Sequence, residues 1–408
     1  MTTTTVPQPS EELTERMHEL YRHLHAHPEL SMQEHATAEL IERELDALGV
    51  EHFRCGGTGV VGVLRNGQGP VVAFRADTDG LPLAEDTGLD YASTATGRLE
   101  DGTEVPVMHG CGHDTHVAVL LTAARLLAGA REAWSGTLVL VFQPGEEIAA
   151  GAQAMLADGL WERAPRPEVV LGQHVMPQLA GTIHCSVGDA MAMADSWRVT
   201  VHGKGAHASQ PQDATDPIVL GAHIITRLQT VVAREVDPRR SAVVTVGTFH
   251  GGLKENIIPA RAEFTLNVRT LDPEVREHVL GALRRIISAE AAASGAPEPT
   301  VEVLSTFPRN YNDPAATTEL LEHFRRELGE DRVVQVDPLM GSEDFGALGA
   351  AIGVPSVFWM FGGHDAATMA GEGPVPVNHS PFFAPAVEPT LSTGVRAAVV
   401  AILSRLGR

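Results

Sequence analysis

Two short stretches of this chain concentrate the residue types that bind metal ions and move protons. The first is Met108-His109-Gly110-Cys111-Gly112-His113-Asp114-Thr115-His116. Cysteine thiolate and histidine imidazole are borderline-soft ligands suited to zinc and its neighbours. Glycines at 110 and 112 let the backbone turn tightly, so that side chains 111 and 113 converge. Asp114 is placed either to fix a histidine tautomer or to cap the helix expected to follow. A lone cysteine is usually a packing residue, but a C-G-H-D-x-H cluster between glycines reads as a metal site. The second stretch is Gln143-Pro144-Gly145-Glu146-Glu147, which follows the apolar run Leu138–Phe142. Adjacent carboxylates repel one another, and a cation is the simplest stabiliser. In irregular backbone the two point different ways, so one can bind metal while the other faces the attacking water as a base. An exposed acidic turn is the competing reading of the pair taken alone. His174, after the apolar run 169–173, and His379, in Val377-Asn378-His379-Ser380-Pro381, would complete a metal shell gathered from four loops. Either histidine alone is more often structural.

The elements that must position these residues fall into two patterns. A helical periodicity runs from Ser10 to Leu48, with Ser10 as its cap and Gly49 as its stop. Strands are expected at Val60–Leu64, Val71–Arg75, Thr137–Phe142 and Glu168–Gly172, and helices at Val117–Ala128 and Ala152–Leu160. Strands alternating with helices predict a mostly parallel sheet flanked by helices, with the Glu146-Glu147 pair at a sheet edge where α/β folds bind ligands. From Asp195 the pattern changes to strands with one wet face: Ser196–Gly203, Ala242–Phe249, Ala262–Arg269 and Thr300–Leu304, with helices at Asp216–Glu235 and Pro273–Ala293. This β-α-β-β-α-β order predicts an inserted ferredoxin-like α+β domain. The expected division is 1–194 with 306–408 for a discontinuous catalytic domain and 195–305 for the insert. A strand at Val354–Trp359 and a helix at Pro389–Leu406 close the chain.

A length of 408 residues exceeds one ordinary core and fits two domains. A net charge of −22 argues against nucleic acid and anionic membrane as partners. Cys55, Cys111 and Cys185 are too few, and odd in number, for a disulfide framework. The first residues lack the basic start and apolar core of a signal peptide, and no apolar run approaches the ~20 residues of a membrane span. The expectation is a soluble cytoplasmic protein. Thr2–Thr5 forms the sole low-complexity tract, and no internal repeat occurs.

Several blocks together resemble the metal-dependent aminoacylase and carboxypeptidase-like amidohydrolases, a family with hippurate hydrolases, auxin-conjugate hydrolases and bacterial N-acyl-amino-acid deacylases. They are Phe74–Pro82 (FRADTDGLP), the C-G-H-D-x-H block, Gln143–Glu147, Gly203–His207 (GKGAH), Asn256–Pro259 (NIIP), Met340–Phe345 (MGSEDF) and Asn378–Pro381 (NHSP), in one order along nearly the whole chain. Ser31-Met32-Gln33-Glu34-His35 and the Q-P-G-E-E form look similar to the subtype acting on N-acyl-glutamine. The resemblance implies a metallohydrolase domain with an inserted lid or dimerisation domain. It implies that Cys111, His113, Glu147, His174 and His379 bind one or two divalent ions, zinc favoured and manganese or cobalt admissible, and that Glu146 is the general base. It implies that His207 polarises the scissile carbonyl in the site of a partner subunit, within a homodimer, and that Asn256 and Arg269 hold the substrate carboxylate. Asp79 matches a carboxylate that orients a ligand histidine in related enzymes. The substrate implied is a small N-acyl amino acid.

The chain departs from the family pattern at Gly110 and Gly145, where small residues such as Ala are frequent. It departs again at Asn267 in Leu266-Asn267-Val268-Arg269 (usually G-T-V-R), at Ser342 (usually Gly) and at Asn378 (usually Leu). The last three lie among residues expected near substrate. A dipeptidase or carboxypeptidase is the alternative reading among enzymes. A catalytically silent metal-stabilised binding protein would lack the base or His207, and both are present. A structural zinc site would be richer in cysteine.

Overall fold

A computed structural model describes residues 6–371 and 373–408; the threonine tract at 2–5 lies outside the described residues. Helix α1 (Glu11–Ala26) starts at Ser10, whose side chain accepts from the Leu13 N–H. The helical pattern expected to continue to Leu48 is broken into α1 and α2 (His35–Ala47). Pro28 cannot continue a helix, and it disfavours helical backbone at the residue before it. The break has a use: Leu30 bridges to Gly80, and the Gly80 N–H donates to the Glu29 carbonyl at 2.7 Å. This brings the segment between the helices against the residue after Asp79.

The chain then forms β1 (Glu51–Arg54), β2 (Val60–Asn66) and β3 (Val71–Asp77), followed by α3 (His113–Gly129), β4 (Gly136–Gln143), β5 (Val169–Leu179) and β6 (Ile183–Cys185). It leaves for a second unit, described below with its strands β7 (Met193–His202), β8 (Ala206–His207), β9 (Ala242–Gly251), β10 (Ile257–Ile258), β11 (Arg261–Thr270) and β12 (Thr300–Phe307) and its helices α4 (Pro217–Glu235) and α5 (Pro273–Ala293). It returns through α6 (Pro314–Leu328), β13 (Val333–Gln335), β14 (Ser356–His364) and α7 (Val387–Leu406). The first unit's sheet has eight strands in the order β1-β2-β4-β3-β5-β14-β6-β13. Its centre, β4-β3-β5-β14, is parallel throughout. Strand β4 is buried along nearly its whole length, as a parallel sheet covered on both faces requires. Helix α3 is apolar nearly all round and packs against α1, α7 and β3, so the residues at its N-terminus are held by core contacts. Strand β5 runs well beyond the expected Gly172, to Leu179.

The second unit holds Met191–Arg309 and the later segment Leu339–Glu343, while the first resumes at Asn310–Pro338 and Asp344–Arg408. Its β-α-β-β-α-β order builds an antiparallel sheet β9-β11-β7-β12, and α4 and α5 pack on it. Trp197, Val199, Phe264, Leu266, Leu228 and Leu283 lie in its core. The sequence placed Leu339–Glu343 with the other domain. Here the Ala192 N–H donates to the carbonyls of Leu339 and Gly341 at 3.0 and 2.8 Å, adding that loop to the insert. Strands β8 and β10 form a separate two-stranded ribbon next to the Arg261 end of β11. No helix among the described residues is long and apolar enough to cross a membrane.

Phe264 is fully buried between sheet and helices of the second unit. Phe264→Ala is expected to cost about 3–5 kcal/mol of that unit's stability. Chemical denaturation checks it, and an unchanged midpoint would place the core elsewhere.

Candidate metal centre

Asp79, just past the end of β3, is the residue around which the site is assembled. Its Oδ1 lies 3.2 Å from His113 Nδ1 and accepts from the Glu146 N–H at 3.2 Å. Its Oδ2 accepts from Ser31 Oγ at 2.6 Å and from the Glu147 N–H at 3.1 Å. Burial would raise the pKa of this carboxyl, but the bond from His113, that ring's charge, Ser31 and the Glu147 N–H outweigh it and hold the group below its ordinary value. One carboxylate thus fixes the His113 ring and the backbone of both glutamates.

The Glu146-Glu147 turn has a second support. Glu34 is fully buried, and its Oε1 accepts from the Gly145 N–H at 2.8 Å and the Met32 N–H at 2.9 Å. Gly145 has φ +55, and a Cβ there would lie 2.6 Å from the Met32 sulfur. An alanine is therefore strained at this position in this chain. Of the glycines flanking Cys111, it is Gly112 that the turn requires: it has φ +82, and a Cβ would meet Val175 at 2.4 Å. Gly110 has no such backbone, and a Cβ there meets only side-chain tips of Leu83 and Leu81 closely.

The donors converge in overlapping groups. Cys111, Glu147 and His379 offer atoms within 4.8 Å of one another; so do His113, Glu146 and Glu147, and so do Asp77, His113, His116 and His174. Hydrogen bonding separates which atoms are open to an ion. His174 Nδ1 donates to the Val175 carbonyl at 2.7 Å, leaving Nε2 as the acceptor, 3.5 Å from Cys111 Sγ. Burial and then the charge of His116 keep this ring far on the neutral side. His113 Nε2 and Glu147 Oε1 are buried without a hydrogen-bond partner among the described residues. Glu147 Oε2 lies 3.3 Å from His379 Nε2. Buried nitrogen and oxygen atoms without hydrogen-bond partners, facing a thiol and imidazoles, are what a divalent ion satisfies. The donor set fits a metal.

His116 closes the C-G-H-D-x-H block and had no assigned role. Its Nδ1 bonds Asp77 Oδ1, and its Nε2 accepts from the Val175 N–H at 2.8 Å. Both nitrogens are committed, so proximity does not make it a ligand. Asp77 is held on its other oxygen by Arg75 at 2.6 Å. The run Arg75–Asp77–His116–Val175 therefore positions the backbone beside His174. Asp114 differs from expectation. It orients a histidine, but that histidine is His25 of α1, at 2.6 Å, and not a candidate ligand. Nor does it cap the helix conventionally, since Gly112 occupies the cap.

His379 sits in left-handed backbone at φ 67. Its N–H donates to the Gly110 carbonyl at 2.8 Å. The departure at Asn378 is explained by its neighbours: Nδ2 donates to the carbonyls of Cys111 and Val175, each at 3.2 Å. Leucine could make neither bond.

Three of the candidate residues belong to the second unit. His207 and Asn256 lie together on the ribbon, where the Ala208 N–H donates to the Asn256 carbonyl at 3.0 Å. Arg269 is at the far end of β11 from that ribbon, about 27 Å away along the strand at ~3.4 Å per residue. One chain does not bring Asn256 and Arg269 to the same small group. Asp77, Ser31, Glu34 and His116 carried no role in the sequence. The hint was there in the FRADTDGLP and SMQEH blocks, but their partners lie dozens of residues away.

Comparison with known proteins places these features in a group. The pattern of the peptidase family M20/M25/M40 matches residues 73–399. The chain is 39% identical over 333 residues to hippurate hydrolase of Campylobacter jejuni subsp. jejuni, covering 80% of this chain and 84% of that one. It is 36% identical over 333 residues to thermostable carboxypeptidase 1 of Saccharolobus solfataricus, covering 80% and 81%. The solved structure of the Bacillus subtilis YXEP protein, described as a dinuclear metal binding peptidase, superposes with a TM-score of 0.77 at 30% identity over 97% of this chain and 100% of that chain.

Two outcomes test this geometry. Asp79→Asn cannot accept the bonds it now collects on both oxygens, and metal affinity is expected to fall about 10–100-fold. Competition with a chelator reads it, and unaltered affinity contradicts the role. Without an ion, burial would lower the His113 pKa, but Asp77, Asp79 and Glu147 raise it to about 10. Burial, then Glu147 and Glu146, hold the Cys111 thiol well above its ordinary value. Binding at neutral pH should therefore release about two protons, with affinity rising as pH rises. Calorimetry in buffers of different ionisation enthalpy counts them; release of none removes these two residues from the ligand set.

Proposed function

This chain belongs to the peptidase family M20/M25/M40 and is a metal-dependent amide hydrolase; on that premise we propose that it removes the acyl group from small N-acyl amino acids. The observation that carries the reading is the division of labour between the two glutamates. Asp79 takes both backbone N–H groups; Glu147 offers donors both to the Cys111 and His379 group and to the His113 group, whereas Glu146 reaches only the latter of these two. Glu146 is a buried carboxylate at the edge of the candidate ion site.

The residues that would hold the ion are Cys111, His113, Glu147, His174 and His379. When bound, the ion lowers the pKa of water toward ~7 and polarises the scissile carbonyl. Glu146 takes the proton of the attacking water and returns it to the leaving nitrogen, so the amine departs neutral. His207 Nδ1 accepts from the Ser209 N–H at 3.1 Å and faces its hydroxyl at 2.7 Å. The neutral ring therefore carries its proton on Nε2, a donor for the carbonyl oxygen as it gains charge. Arg269 and Asn256 meet the substrate carboxylate. The placing of Asn256 on the ribbon and of Arg269 at the far end of β11 supports a homodimer in which one copy supplies His207 and Asn256 to the other. Sharing of Glu147 between two donor groups supports two ions. The thiolate favours zinc over manganese or cobalt. All three cysteines are free and buried, in keeping with a cytoplasmic setting.

The likeness to a carboxypeptidase keeps peptide cleavage as the second reading. A panel of N-acyl amino acids against dipeptides with a free α-amine, run on metal-stripped protein reloaded with each metal, separates the two; a requirement for the free amine overturns deacylation. Glu146→Gln is expected to keep full metal content and lose about two to four orders of magnitude in kcat. A wild-type rate in that variant removes Glu146 as the base.

A further inference from the structure

Asn267 and Ser342, from separate segments of the second unit, bond the same guanidinium. Arg269 Nε donates to Asn267 Oδ1 at 2.9 Å. Its Nη1 donates to the Met340 carbonyl at 2.8 Å and to Ser342 Oγ at 3.3 Å. Asn267 is itself fixed, since its Nδ2 donates to Ser196 Oγ at 3.0 Å from the directly paired residue on β7. All five residues belong to the second unit, and Ser196, Asn267 and Arg269 lie on the polar face of its sheet, away from the core residues Leu266 and Val268.

A guanidinium binds a carboxylate best through two parallel N–H bonds, from either the Nε/Nη2 edge or the Nη1/Nη2 edge. Asn267 occupies the one N–H of Nε. Met340 and Ser342 both accept from Nη1. Each two-nitrogen edge has thus lost one member, and Nη2 is left with no partner among the described residues. We infer that Asn267 and Ser342 are specificity-determining positioning residues, which restrict Arg269 to a one-nitrogen contact with the substrate carboxylate. The chain then discriminates only weakly between an N-acyl amino acid and the same compound with a neutral carboxamide in place of the carboxylate. This rests on the reading of Arg269 as the carboxylate contact.

The experiment compares kcat/KM for an N-acyl amino acid with that for its α-carboxamide, in wild-type holoenzyme and variants. Asn267→Ala with Ser342→Ala frees Nε, restoring the Nε/Nη2 edge, and leaves Nη1 held by the Met340 carbonyl alone. The carboxylate-to-carboxamide ratio is expected to rise about tenfold, through KM for the carboxylate and not through kcat. Asn267→Asp tightens the hold on Nε and neutralises the guanidinium, so its ratio is expected to drop below wild type. A purely structural role would lower both substrates together and leave the ratio fixed, which overturns the inference. Asn267→Ser, alone, asks the same question if the double variant does not fold. Arg269→Ala separates the two levels. A ratio that falls in Arg269→Ala but does not rise in the double variant or in Asn267→Ser overturns this inference only. A ratio unmoved by Arg269→Ala overturns the assignment of Arg269 and the inference with it.

Discussion

Four hydrogen bonds converge on the carboxylate of Asp79, and the metal centre depends on them. They come from α3 through His113, from the loop between α1 and α2 through Ser31, and from the turn after β4 through the N–H groups of Glu146 and Glu147. Three separate segments are registered to one buried anion. A buried carboxylate stays ionised only where its lone pairs are filled by donors, and here they are. The same requirement explains the break at Pro28. A continuous helix from Ser10 to Leu48 could deliver neither Ser31 to Asp79 nor Glu34 to the Gly145 N–H.

The electrostatics follow from how many acids the site gathers. Asp77, Asp79, Glu146, Glu147 and Asp344 are buried or nearly so, with Arg75 bonding Asp77 and Asp344. Burial raises Asp344 to about 6, and burial with the charge of Asp79 raises Glu34 to about 7. His113 answers the excess by retaining a proton. A divalent ion supplies the missing positive charge in its place, which is why the loss of that proton and the gain of the metal are one event.

Much of this was legible in the sequence, for identifiable reasons. Cys111, His113, Glu146 and Glu147 stand in compact motifs whose residue types announce their chemistry. The order of the inserted unit was readable because its strands alternate strictly, as Trp197-Arg198-Val199-Thr200-Val201 does, and because Asp216 and Asp272 cap helices that begin with proline. What stayed hidden were pairings between distant segments. Ser31 lies 48 positions from Asp79, and Gly145 lies 111 from Glu34. Nor could local pattern tell that Leu339–Glu343 joins the insert, since a loop has no period to read. Asp114 shows the converse limit. Its type and place suited the orientation of a ligand, and only the packing of α1 against α3 made His25 its partner.

His379 differs from the other candidate ligands. Cys111, His113 and His174 are buried, whereas the His379 side chain is 54% exposed. It also occupies left-handed backbone, a conformation that costs a non-glycine residue about 1–3 kcal/mol and persists where the surroundings over-determine it. Those surroundings are the Gly110 carbonyl, which receives its N–H, and Asn378, which ties the loop to Cys111 and Val175. The exposed donor is thus anchored to the backbone of the buried ones. Because Asn378 bonds residue 111 and the carbonyl that also accepts from His174 Nδ1, the loop cannot shift without disturbing two other donors. The solvent-facing side of the centre is therefore as preorganised as the buried side, and an ion entering there meets a donor already in place.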